Sequence, residues 1–141
     1  MEWFLTLATA AALLALFALT ENAWHRGFPP DVTRRLAHVV GAGAAATFPI
    51  YLQLRNVLVL AAGFTAFLTY TWLRGSLVSI HGVTRPSAGA ALFPAGLGLA
   101  ALAAWDHPAA FAFAALVLAF ADPAAALVGL HIGLEGVDDA A

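Results

Sequence analysis

The chain has 141 residues, 62% of them apolar and only 10% charged, and its long uncharged runs exceed what a soluble domain of this size could bury, so it reads as an integral membrane protein. A net charge of −2 offers nothing to nucleic acid, and the absence of Cys removes disulfides, thiolate metal sites and cysteine nucleophiles together. All six basic residues are Arg, which excludes a P-loop lysine.

Residues 3–20 form the first uncharged run, long enough at about 1.5 Å per residue to approach the thickness of the hydrocarbon core. A cleaved signal peptide is the rival reading, but the residue before the run is Glu2 and no basic residue precedes it. Residues 21–37 read as a hydrophilic loop made basic by Arg26, Arg34 and Arg35, where Gly27, Pro29 and Pro30 break any helix and Asp31 begins a new one. A second span is expected over 38–54, with Gly41 and Gly43 promising close helix packing. Its G-x-G-x-x-A match lacks the strand and the βαβ setting of a dinucleotide fingerprint. A third span over 56–73 ends near Tyr70 and Trp72, residue types common at a membrane surface. Residues 74–87, with Arg74, His81 and Arg85, should be irregular; a fourth span over 88–105 carries Pro94 as a kink, and Asp106-His107-Pro108 is a turn.

The fifth span, over 109–129, contains Asp122 followed by Pro123. A carboxylate at the centre of a membrane helix costs roughly 2.5 to 3.5 kcal/mol on insertion scales, so such residues face a cavity, a partner or a substrate. Either a kinked helix carries Asp122, or one helix ends there and a half-helix starts at Pro123 with Asp122 as its cap. The bland alternative is the same cap and kink without chemistry. The expected fold is therefore all-α and polytopic, a single membrane domain of about five transmembrane helices, the fifth kinked or broken at Asp122-Pro123.

Five of the six Arg fall in the 21–37 and 74–87 loops, which places those loops in the cytoplasm, the N-terminus outside and the C-terminus inside, in a cell (inner) membrane. Arg34, Arg35, His38, His81, Arg85 and Asp122 then share one face. Arg supplies bidentate donors for phosphate oxygens, and a carboxylate holds Mg²⁺ or accepts a hydroxyl proton. Such a face suits transfer between a soluble phosphorylated donor and a lipid alcohol. For Arg34 and Arg35 the alternative is a topology signal with headgroup contact, and for His38 an ordinary helix-end histidine. His131 and Glu135, four apart, lack a third metal ligand.

Three stretches resemble one family. Arg34-Arg35-Leu36-Ala37-His38 resembles the basic pair and histidine of the CTP-dependent polyprenol, diacylglycerol and phytol kinases. Ser79-Ile80-His81-Gly82-Val83-Thr84-Arg85, with Gly89 and Phe93-Pro94, is similar to their central loop, and the stretch from Ala121 through Asp122 to Gly129 is similar to their Asp-x-x-Ala-x-x-x-Gly motif. The resemblance implies a membrane kinase using CTP and Mg²⁺, with Asp122 and His38 catalytic, Asp122 on the metal, and Arg34, Arg35, His81, Arg85 and Gly129 on the nucleotide. The family's further Lys-Ser-x-Glu-Gly-Ser-like stretch has no counterpart here, which leaves room for a degenerate member, a homo-oligomer or a partner subunit that completes the site. A cytidylyltransferase forming a CDP-lipid is the nearest enzymatic alternative. A carrier or channel ranks last because the spans offer no polar path.

Overall fold

The computed structural model describes residues 2–82 and 89–120. Within them the chain is all-helical, in the order α1 (Glu2–His25), α2 (Pro30–Ala46), α3 (Phe48–Tyr51), α4 (Leu54–Leu73), α5 (Val78–His81), α6 (Gly89–Ala104) and α7 (Pro108–Phe120). The long helices run up and down. Gln53 and Arg55, which flank the start of α4, bond to Glu2 at the start of α1, while Ser79 in α5 bonds to Glu21 near the end of α1.

Local chemistry sets the boundaries. α1 runs past the expected end of the first span through Glu21–His25, because nothing in that stretch interrupts a helix before Gly27. There φ is +98°, and the Gly27 and Phe28 N–H groups bond back to the Trp24 and Ala23 carbonyls. This two-bond closure around a left-handed glycine satisfies carbonyls that the helix end would otherwise orphan. Gly75, at φ +65°, closes α4 the same way onto Trp72, with Ser76 bonding to Thr71.

Two expected boundaries are corrected. The second span does not run over 38–54: its helix begins eight residues earlier at Pro30, whose missing N–H suits the first position, and stops at Ala46. Pro49 cannot donate to the carbonyl four residues back, so the chain breaks at Thr47 and resumes as the single turn α3. Arg34 and Arg35, expected in the hydrophilic segment ahead of the span, consequently lie on the same continuous helix as His38, one turn before it. The 74–87 loop, expected to be irregular, contains the turn α5.

The core is formed where α4 lies along α6, its most extensive partner, with Val57, Leu60, Leu97 and Ala101 buried beside Phe48 of α3 and Phe111 and Ala115 of α7. The close backbone approach expected at Gly41 and Gly43 is absent, since a Cβ added at either would meet nothing within 4 Å. It falls instead at Gly98 of α6, where an added Cβ would stand 3.0 Å from that of Ala61.

Among the described residues two helices, α1 and α4, are long and apolar enough to cross a membrane, against the five spans expected. α6, with Pro94 inside it, has 16 residues and falls short. The described part of the fifth segment ends at Phe120, so the break expected at Asp122-Pro123 lies outside the described residues. Large apolar side chains cover the outside: Phe4, Leu7 and Leu19 of α1, Leu73 of α4 and Leu99 of α6 are each more than half exposed.

Candidate functional site

Thr20 and Glu21 lie near the end of α1, Thr33 and Arg34 near the start of α2, and Thr71 near the end of α4. The up-and-down course of the helices brings all of them to one end, where α5 inserts among them. Ser79 is the hub. Its N–H donates to Glu21 Oε2 at 3.0 Å, its carbonyl accepts from Thr33 Oγ1 at 2.7 Å, and its hydroxyl lies 3.5 Å from Thr20 Oγ1. Thr20, Thr33 and Ser79 are buried almost completely, so these bonds act without competition from water. Leu77, which precedes α5, holds φ +54°, a left-handed conformation costly for a side chain with a Cβ. Gly82 closes the turn: a Cβ there would collide with the Val78 carbonyl oxygen.

His81 sits at the outer edge of this cluster, its Nε2 3.1 Å from Thr71 Oγ1. Burial pushes its pKa below the ordinary 6.5, the Arg34 guanidinium lowers it further, and the Glu21 carboxylate partly opposes both. Arg34 and His81, 47 positions apart in sequence, are thus brought within electrostatic reach of one another. Arg34 is half-buried with its Nε inside the protein, and Arg35 is half-buried beside it on α2. A neutral imidazole next to a guanidinium can accept a hydrogen bond without adding a second positive charge, whereas taking up a proton there sets two positive charges side by side.

His38 follows Arg34 by four residues, so the two share a face of α2. Its buried ring stacks on Phe93 of α6 with centroids 4.9 Å apart and planes at 20°. One edge of it lines an apolar cavity of about 60 Å³ between α1, α2, α4 and α6, whose other walls include Phe17, Phe64, Pro94 and Leu97. The polar cluster thus lies at one end of an apolar slot, with His38 on the α2 wall between them.

Of the residues singled out in the sequence, Arg34, Arg35, His38 and His81 gather at this end of the bundle, while Arg85, Asp122 and Gly129 lie outside the described residues. The structure adds Glu21, Thr20, Thr33, Thr71 and Ser79 to these residues. The available signal was the Thr20-Glu21 pair at the edge of an otherwise apolar run. Mg²⁺ commonly takes only one or two carboxylates and completes its shell with water and substrate phosphates. Among the described residues no group of three or more His, Asp or Glu is placed to hold a metal, and Asp122, the carboxylate expected to do so, is not among them.

The opposite end is built differently. Glu2 pairs with Arg55 at 2.7 Å on the surface, Arg55 lies 5.8 Å from the Trp3 ring centroid, and Gln53 donates to the same carboxylate. Here too a buried polar group occurs: Asn56, at the start of α4, is fully enclosed with neither amide atom hydrogen-bonded. We have no physical account of it. No family model, curated protein or solved structure matches this chain.

Proposed function

We propose that the chain is a polytopic protein of the cell membrane that transfers a phosphoryl group from a nucleoside triphosphate, CTP by resemblance, to a lipid alcohol. In this reading Arg34 and Arg35 bind the phosphates and His81 assists them. The lipid hydroxyl oxygen attacks the terminal phosphorus, the bond from that phosphorus to the bridging oxygen breaks, and the nucleoside diphosphate leaves. The hydroxyl proton passes to Asp122 or His38. Arg85 and Gly129 belong to the nucleotide side of the same site, where Asp122 would hold a Mg²⁺ ion that would neutralise charge on the transferring phosphates.

The observation that carries the reading is the junction at α2: Arg34 in a polar cluster and, one turn on, His38 on the wall of an apolar slot. A water-soluble donor and a lipid acceptor need such a boundary. The exposed apolar faces of α1, α4 and α6 support a bilayer setting, since a soluble protein rarely leaves so much contiguous apolar surface uncovered. Four of the described Arg, namely Arg26, Arg34, Arg35 and Arg74, lie at the cluster end and Arg55 at the other, a bias that by the positive-inside rule supports a cytoplasmic cluster and an outside N-terminus.

The test is lipid phosphorylation by the purified chain in liposomes, offering labelled CTP or ATP with Mg²⁺ to polyprenols and diacylglycerol. Labelled lipid phosphate is expected, and Arg34→Ala or Asp122→Asn should each lower turnover by about 100-fold or more. Full turnover in both variants, or no product with any donor and acceptor, would end the kinase reading. A CDP-lipid product would replace it with a cytidylyltransferase.

A further inference from the structure

At the end of the bundle away from the polar cluster, an open groove lies between α1 and α4 on the outside of the molecule. Its free volume is about 330 Å³, and its described walls are apolar apart from Thr6, whose hydroxyl is spent on the Glu2 carbonyl at 2.9 Å. α1 and α4 start at the same end, where Arg55 bonds to Glu2, so the groove follows both helices in one direction. From Trp3 to Leu14 α1 rises about 16 Å, and from Val59 to Phe67 α4 rises about 12 Å. One leaflet contributes about 15 Å of hydrocarbon to a bilayer. The groove therefore descends through the depth of a single leaflet, the one at the Glu2 end.

The mouth of the groove is charged. Trp3 forms part of its wall and lies 5.8 Å from the Arg55 guanidinium, which in turn meets Glu2 at 2.7 Å. Both charged side chains stay well exposed, and the pair leaves most of the five N–H donors of the guanidinium open. A phosphate can take those donors, while an ammonium joined to it finds the Glu2 carboxylate and the face of Trp3. An anionic headgroup without an ammonium gains the first contact and is repelled by the same carboxylate.

We propose that this groove holds a zwitterionic glycerophospholipid of the leaflet at the Glu2 end, with an acyl chain lying along α1 and α4, its phosphate on Arg55 and its primary ammonium on Glu2. The proposal rests on the bilayer setting of the chain and not on phosphoryl transfer. Gly63 lines the groove, and a Cβ there meets nothing within 4 Å. A larger side chain at 63 would take the place of the acyl chain without displacing backbone.

Native mass spectrometry of the full chain tests this, after reconstitution with equal amounts of phosphatidylethanolamine and phosphatidylglycerol and extraction in mild detergent. Retained lipid is expected on the monomer, with the ethanolamine form favoured by about threefold, the scale of an exposed ion pair. Glu2→Gln should abolish that preference, and Arg55→Gln should lower retention of both lipids. Gly63→Leu should lower retention by about tenfold by filling the groove. Ala66→Leu, an enlargement at an exposed position of α4 outside the groove, should leave it unchanged. Gly63→Leu should unfold at or above the temperature of the parent, because Leu favours helix over Gly. Equal retention of the two lipids by the parent would overturn the headgroup assignment. Retention unaffected by Gly63→Leu would overturn the groove as the site, and a lipid-free dimer would give the groove to a second copy of the chain. A chain that enters liposomes yet retains no lipid would overturn this proposal alone, whereas a chain that fails to enter them would overturn the bilayer setting with it.

Discussion

Each end of the helix bundle holds a glutamate from α1, an arginine and a polar partner, and the two ends use them in opposite ways. At the first end Glu2 and Arg55 form an ion pair in the open, both side chains well exposed, 61% for Arg55 and 44% for Glu2. At the other, Glu21 spends an oxygen on a backbone N–H of α5, Arg34 is drawn inward, and three hydroxyls bury their hydrogen bonds. Exposure, more than residue type, decides what these groups do. A pair in water gains little and constrains nothing, whereas the same chemistry under cover fixes the place of α5 and changes the protonation of a neighbouring imidazole.

The sharpest way to break the comparison is Thr33→Val, which leaves the Ser79 carbonyl without its 2.7 Å donor inside the protein. It should cost about 1 to 3 kcal/mol in a denaturant titration of the detergent-solubilised chain. Its counterpart at the other end, Arg55→Ala, should cost under about 1 kcal/mol by the same titration, and less at high salt. Equal losses at both ends would show that burial is not the deciding variable.

The smallest expected effect is also the most specific. His81 titrates below 6.5 in the folded chain, so below pH 6.5 the unfolded chain binds the extra proton first. Its contribution to stability is complete above pH 6.5 and declines as pH falls from there through the folded pKa. Followed by NMR of the His81 ring, Arg34→Gln should raise that pKa and Glu21→Gln should lower it further, because the two charges act on it with opposite sign. Shifts of the same sign would place His81 outside the cluster.

How much of this was legible depends on which forces hold each piece. α1 and α4 show in the sequence because an uncharged run reports its own helix. The start of α2 shows in Pro29-Pro30-Asp31, whose backbone restrictions are local. The break at Thr47 leaves little mark on hydropathy, since Pro49 is uncharged within an apolar run and acts by withholding a hydrogen bond. Arg34, Arg35, His38 and His81 stand out as charge in an apolar chain. Glu21 and the hydroxyls around Ser79 do not, because their importance comes from meeting one another across 46 to 59 positions. For α5, a turn flanked by a left-handed Leu77, no local signal exists at all.

That turn carries a consequence for the order of assembly. A four-residue helix entered through a left-handed leucine has no reason to form in isolation, since nucleation is unfavourable and the backbone at Leu77 is strained by about 1 to 2 kcal/mol. The bonds that compensate come from Glu21 and Thr33, and closing such long loops costs entropy until the helices carrying them have docked. α5 is therefore a late arrival, shaped only after α1, α2 and α4 have met. It records that meeting as a keystone records an arch, and the polar cluster comes into being at the last step of folding.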